Sequence, residues 1–241
     1  MMPNLQIGLN QQFQQGLNFA QQGMIAEQTG NWAAVAPCYD QAIAFIGNSI
    51  AGAVQAGIPV PDNVHFSYAF CHFNAARVKA AMGWPQLAPT HLAQAFQGLQ
   101  QALAINPNFF QYHSAIGVVM LAQGNVAGAM QAFQRAVQLN PADSWSQWML
   151  ASLYSAQGAT AVSNQHYAAA VQVQPNLPPP PQYAPAVAAA PGGAQAGKPK
   201  HDWFELINNA LKFGNSIAGA FQQSGGAQQP SMWGQPSGWG W

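Results

Sequence analysis

The side chains able to do acid–base, nucleophilic or metal chemistry are few here, and their spacing keeps them apart. Six carboxylates stand at Glu27, Asp40, Asp62, Asp143, Asp202 and Glu205. Only the last two are close in sequence. Their spacing matches a helix capping box, although that motif prefers Ser or Thr at its first position. Cys38 and Cys71 are the only cysteines. Each lies in an apolar helical stretch, where a buried thiol is expected rather than a disulfide or a nucleophile. Cys71-His72 is the one suggestive pair, but neighbours on a helix diverge by about 100° and do not readily clamp one metal. His113 is explained by packing. No glycine-rich loop ends in Gly-Lys-Ser/Thr, and neither Cys-x-x-Cys nor His-Glu-x-x-His occurs. Catalysis needs convergent groups, so the expectation is no catalytic residue, no metal and no cofactor.

Composition narrows the remaining classes. Asp, Glu, Lys and Arg make up 5% of the 241 residues, against about 25% in an ordinary soluble protein. Net charge is zero, and roughly thirty glutamines supply the polar faces instead. Such a surface has nothing to attract a phosphate backbone, which argues against nucleic acid as a partner. It also lacks the repulsion that keeps copies apart, so self-association is a possible behaviour. No apolar run reaches the roughly 18 residues of a membrane span. The start, Met1-Met2-Pro3-Asn4-Leu5-Gln6, has no basic or apolar signal region, so a cytoplasmic location is expected.

The elements that position these residues follow from a repeat. Gly124 recurs as Gly158, Phe133 as Tyr167, Ala136 as Ala170 and Pro141 as Pro175, each 34 residues on (158 − 124). Ile116 and Leu150, Gly117 and Ala151, Met120 and Tyr154, and Ala129 and Ser163 keep the same offset. A period of about 34 residues marks a helical hairpin that stacks on copies of itself to bury its apolar face. Small residues at 117/151 and 129/163 allow the two helices a close crossing. The aromatic at 133/167 fills the space beside it. Glycine ends the first helix, and proline ends the second.

This pattern resembles the tetratricopeptide repeat (TPR) family, over Phe110–Asp143 and Ser144–Pro175. Laid on earlier residues, the template finds Phe19, Gly23, Gly30, Tyr39 and Ala42 for a first unit at about 16–49. There Pro37 sits inside the second helix and should kink it or remove one hydrogen bond, and Gly47 replaces the terminal proline; the apolar pattern runs on to Ala56, so an unusually long helix is expected. Asn31 is placed to cap it. A degenerate second unit at 64–109 matches at Ala95, Leu99, Ala102 and Pro107, with Trp84–Pro89 lengthening its inter-helix loop. The expected fold is all-α: an α-solenoid of about four TPR-like hairpins over 5–177 (16–49, 64–109, 110–143, 144–177). A Pro/Ala/Gly linker follows at 178–200, then an amphipathic helix at 201–223 and a disordered Gly/Trp tail at 224–241.

The resemblance implies a non-catalytic protein–protein interaction adaptor or scaffold, with a protein or peptide partner in the concave groove. Groove-facing positions, by resemblance, are Leu17, Ala20, Met24 and Glu27; then Gln111, Ser114, Val118 and Leu121; then Trp145, Trp148, Ser152 and Ser155. None carries Lys, Arg or Asn, which disfavours the chaperone-carboxylate type of TPR and suits an amphipathic helix or a neutral extended peptide. Trp148 is the better aromatic anchor of the tryptophan pair, and one of the two can equally pack between repeats. The stripe Trp203, Leu206, Ile207, Ala210, Leu211, Ile217 and Phe221, with Ala218, needs a cover, in cis on the solenoid or in trans on a partner. A self-assembling structural subunit, in a filament or shell, is the alternative. A membrane role is disfavoured, because only Lys198, Lys200 and Lys212 could meet anionic lipid.

Overall fold

The computed structural model describes residues 2–180. The linker beyond Pro180, the helix expected at 201–223 and the tail at 224–241 lie outside the described residues.

Among the described residues the chain forms eight α-helices and no strand. They are α1 (Met2–Gln28), α2 (Trp32–Gln55), α3 (Asp62–Ala81), α4 (Ala88–Ile105), α5 (Phe110–Ala122), α6 (Val126–Leu139), α7 (Ser144–Ala156) and α8 (Thr160–Val173). Consecutive helices pair as hairpins, α1 on α2, α3 on α4 and α7 on α8, the packing of a helical-repeat protein. The helices group into two compact units, Met1–Gln123 and a second beginning at Gly124.

In the first unit α1 buries Leu9, Phe13 and Ala20 against α2, which turns Ala42, Ile46 and Ala53 inward. The Ser49 hydroxyl on α2 donates to the Leu9 carbonyl at 2.9 Å, so this buried hydroxyl is satisfied. The close crossing expected from small residues is present. A Cβ added at Gly23 would stand 3.3 Å from the ring of Tyr39, its partner aromatic in the repeat template. Tyr39 joins Ala26, Val35, Ala36, Ala75 and Val78 in one core cluster, which ties α3 to the first hairpin. Helix α2 reaches Gln55, one residue short of the expected Ala56, and passes through Pro37. That proline leaves the carbonyl one turn earlier without its usual N–H donor. The long loop of the second hairpin is shortened by a 3₁₀ turn at Pro85–Leu87, which delivers the chain into α4 with Pro89 in its first turn.

In the second unit α7 packs on both α6 and α8. Phe133 and Ala170 are fully buried. Ser163 stands where the preceding repeat has Ala129, and its hydroxyl donates to the Ala151 carbonyl at 2.8 Å across the hairpin. A small polar residue therefore serves the close crossing without an unmet hydrogen bond. Gly124 and Gly158 adopt φ of 80° and 77° at the hairpin turns, the conformation that favours glycine there.

Helix capping departs from expectation. Asn31 precedes α2, but its side chain accepts no capping hydrogen bond. Asn125 caps α6 instead, its Oδ1 accepting from the Gly128 N–H at 3.0 Å. The two asparagines have nearly the same backbone angles, so the difference lies in the side chain alone.

Candidate interaction surface

The first helix of each hairpin carries the residues expected to face a groove. On α1, Met24 is half-buried and packs against the Tyr39 cluster. Glu27 is tied inward: both its carboxylate oxygens accept from Arg77 of α3, each at 2.6 Å. Arg77 also donates to Asn74 Oδ1 at 3.0 Å. Arg77 was not singled out from sequence, although a signal existed. A guanidinium inside an apolar helix of a chain this poor in charge has to find a carboxylate.

On α5, Gln111 is half-buried, Ser114 and Val118 are buried, and Leu121 is 0% exposed. Tyr112 packs its ring on Phe66 of α3 at 5.1 Å and edge-on to Phe109 at 4.6 Å. Burial, with the Asp62 carboxylate beside it, holds the Tyr112 phenol above its ordinary pKa range.

On α7, Trp145 and Trp148 stack with ring centroids 6.3 Å apart. Trp148 is buried, and its indole N–H donates to the Pro178 carbonyl at 2.8 Å. Trp145 is the partly exposed aromatic of the pair, while the chain after α8 takes the Trp148 N–H. Ser152 is 0% exposed and donates to the Trp148 carbonyl at 3.0 Å. Of the twelve groove-facing positions, Leu17, Met24, Glu27, Gln111, Trp145 and Ser155 keep partial exposure, while Ala20, Ser114, Val118, Leu121, Trp148 and Ser152 are buried. The stripe Trp203, Leu206, Ile207, Ala210, Leu211, Ile217 and Phe221 lies outside the described residues.

The strongest cluster of titratable groups lies within the first unit. Asp40 of α2 accepts from Lys79 Nζ of α3 at 2.7 Å. Lys79 Nζ lies 3.2 Å from His91 Nε2 of α4, and His91 Nδ1 lies 2.9 Å from His72 Nδ1 of α3. Tyr68 meets the His72 ring edge-on at 4.5 Å. Burial first, then His91 and Lys79, push the His72 pKa down to about 4. Neighbouring Cys71 points elsewhere, buried, with its thiol pushed up to about 12 by burial. The two members of Cys71-His72 thus separate as helix geometry requires. Among the described residues no group of three or more His, Cys, Asp or Glu could hold a metal ion. His113 Nε2 donates to the Pro107 carbonyl at 2.9 Å, so that nitrogen carries the proton.

Repeating helical hairpins with short aromatic–small crossings define a helical-repeat protein. Residues 110–143 match the family described as Tetratricopeptide repeat, so the repeat read from Gly124, Phe133, Ala136 and Pro141 is a tetratricopeptide repeat. No curated protein matches the chain. Two crystal structures of MamA are similar at low level. One is 12% identical, covering 64% of this chain and 94% of that one, with a TM-score of 0.37. The other is 13% identical, covering 67% and 92%, with a TM-score of 0.34. Likeness of that degree carries no argument about fold or function. Among the described residues no helix is long and apolar enough to cross a membrane.

Proposed function

We propose that this chain is a non-catalytic adaptor whose first-in-hairpin helices hold an uncharged amphipathic helix or extended peptide from another protein. The observation that supports this most is the makeup of α5 and α7. Each is 13 residues long, and neither contains Asp, Glu, Lys or Arg. Recognition on such a helix relies on apolar area and neutral hydrogen bonds, with Trp145 of α7 the partly exposed group able to begin it. Tetratricopeptide repeats as a class serve protein interaction, which the match at 110–143 brings to this chain.

Selection of phage-displayed helical peptides on the full-length protein tests the reading. Enriched peptides should be apolar with few charges. Their binding should change less than about twofold between 50 and 500 mM salt, since screening acts on charge pairs. It should also fall at least tenfold on Trp145→Ala. Enrichment of acidic C-terminal sequences, or indifference to that substitution, overturns it.

A further inference from the structure

The polar chain running from α2 through α3 to α4 has a direction, set by the one member that can only donate. Lys79 has donors and no acceptor. Its Nζ donates to Asp40 Oδ1 at 2.7 Å and to His91 Nε2 at 3.2 Å. A neutral imidazole that accepts at Nε2 carries its proton on Nδ1. His91 Nδ1 therefore donates across the 2.9 Å contact to His72 Nδ1. His72, accepting there, holds its own proton on Nε2. That nitrogen is buried and has no hydrogen-bond partner among the described residues, in a residue 6% exposed. The relay thus runs from Lys79 to His91 to His72 and ends on an unused donor.

Every nitrogen acceptor along the relay is taken, so an added proton breaks a link wherever it lands. On His72 Nδ1 it sets two N–H groups against each other at 2.9 Å. On His91 Nε2 it sets an N–H against the Lys79 ammonium at 3.2 Å. The links sit at the turn end of the α3–α4 hairpin. Lys79 lies in the last turn of α3, and His91 lies in the first turn of α4, which begins at Ala88. Between them the backbone closes through the Trp84 N–H, which donates to the Lys79 carbonyl at 2.9 Å.

We propose that Lys79, His91 and His72 form a proton-operated latch, which holds the start of α4 on α3 at neutral pH and frees it when one further proton is taken up. The latch belongs to the first unit and does not depend on the interaction reading of α7. The groups facing the two imidazoles are Tyr68 and Lys79 of α3 and Asp40 of α2. The 3₁₀ turn Pro85–Leu87 has no titratable side chain, and Glu27 of α1 is held by Arg77. Burial, then His91 and Lys79, keep the closed His72 down at about 4, against 6.5 for a free imidazole. Opening therefore takes up a proton between those limits, so the latch is shut above about pH 6.5 and loosens as pH falls towards 4.

Long-range proton–nitrogen correlation spectra of the full-length protein at pH 7.5 read the tautomers. His91 should be protonated at Nδ1 and His72 at Nε2. Hydrogen exchange, expressed as protection relative to an unstructured chain at the same pH, reads the opening. The amides of 92–95 bond to the first turn of α4. Their protection should fall at least tenfold from pH 7 to 4.5, ending at least tenfold below that of 42–46 in α2. His91→Leu should leave 92–95 weakly protected already at pH 7, with less than a threefold change down to pH 4.5. Should that variant not fold, Lys79→Met keeps both imidazoles and removes a cation that holds their pKa values down. Its loss of protection should begin at higher pH. His91 found protonated at Nε2 overturns the relay and the latch with it. Protection of 92–95 that is unchanged by acid, or lost in step with 42–46, rules out a local opening. A pH dependence that Lys79→Met leaves in place puts the titration elsewhere and likewise sinks the proposal.

Discussion

Arg77 on α3 grips Glu27 on α1 through two parallel contacts of 2.6 Å, with the arginine side chain 7% and the glutamate side chain 22% exposed. This pair joins the first helices of two successive hairpins. It also removes the one carboxylate that the repeat template had assigned to a groove position. Removing one partner leaves a largely desolvated charge, which costs more than the pair contributes. Arg77→Met alone should lower stability by about 2–3 kcal/mol in urea unfolding, allowing for the partial exposure of Glu27. Arg77→Met with Glu27→Leu should recover most of that loss.

The His72–His91 contact makes the first unit sensitive to acid. Folding lowers the His72 pKa from 6.5 to about 4, and lowers His91 and His65 as well, with burial the largest cause in each. Lys79, Asp40 and Tyr68 are the other groups facing the pair. Between pH 6.5 and 4 the unfolded chain binds protons that the folded one refuses. Stability is therefore complete above about pH 6.5 and declines as pH falls towards 4, by on the order of 2 kcal/mol for His72. Thermal midpoints measured from pH 7.5 to 4 should show this decline, and His72→Phe should flatten it.

The two thiols should differ in reactivity. Cys71 is buried, with its pKa pushed up to about 12, whereas Cys38 is partly exposed and shifted upward by burial alone. A thiolate is the reacting species. Iodoacetamide at pH 8 should label Cys38 at least tenfold faster than Cys71 in the native protein, and both equally in urea. Peptide mapping of the labelled protein reads the ratio.

Trp148→Phe keeps an aromatic ring on α7 but deletes the donor to Pro178. The expected cost is about 1 kcal/mol, the net worth of one hydrogen bond. Its clearer signature is local: elastase cleavage near Leu177 should quicken several-fold while the unfolding midpoint moves by only a few degrees. Tyr167→Phe, which removes the donor to Leu177, should act in the same direction.

Gly158 at φ 77° and Gly124 at φ 80° give a matched test of the repeat. Alanine at either is strained by about 1 kcal/mol. Denaturant titration should find the two losses similar, since open space surrounds a Cβ at both.

Much of the architecture is legible in the residues because its determinants are local and periodic. Glycine at 124 and 158, the aromatic at 39, and small residues at 23 and 163 each do in three dimensions what their spacing implies. The site was less legible. Position in a repeat says which way a side chain leaves its helix, but not what arrives to cover it. Trp148 was expected as the better anchor of its pair, and its indole N–H is bonded to the chain's own Pro178 carbonyl. Likewise Glu27 leaves α1 on the expected side, and Arg77, 50 residues away in sequence, meets it there.

Helix spacing, turn glycines and the near absence of charge are written along the chain, since each depends on neighbours within a turn or on simple composition. The pairings Glu27–Arg77, His72–His91 and Trp148–Pro178 join residues 50, 19 and 30 positions apart. Only the packing of α1 beside α3, of α3 beside α4 and of the post-α8 strand of chain over α7 brings those groups into contact. Contacts across such separations are set by how whole helices pack on one another, and no local pattern encodes that.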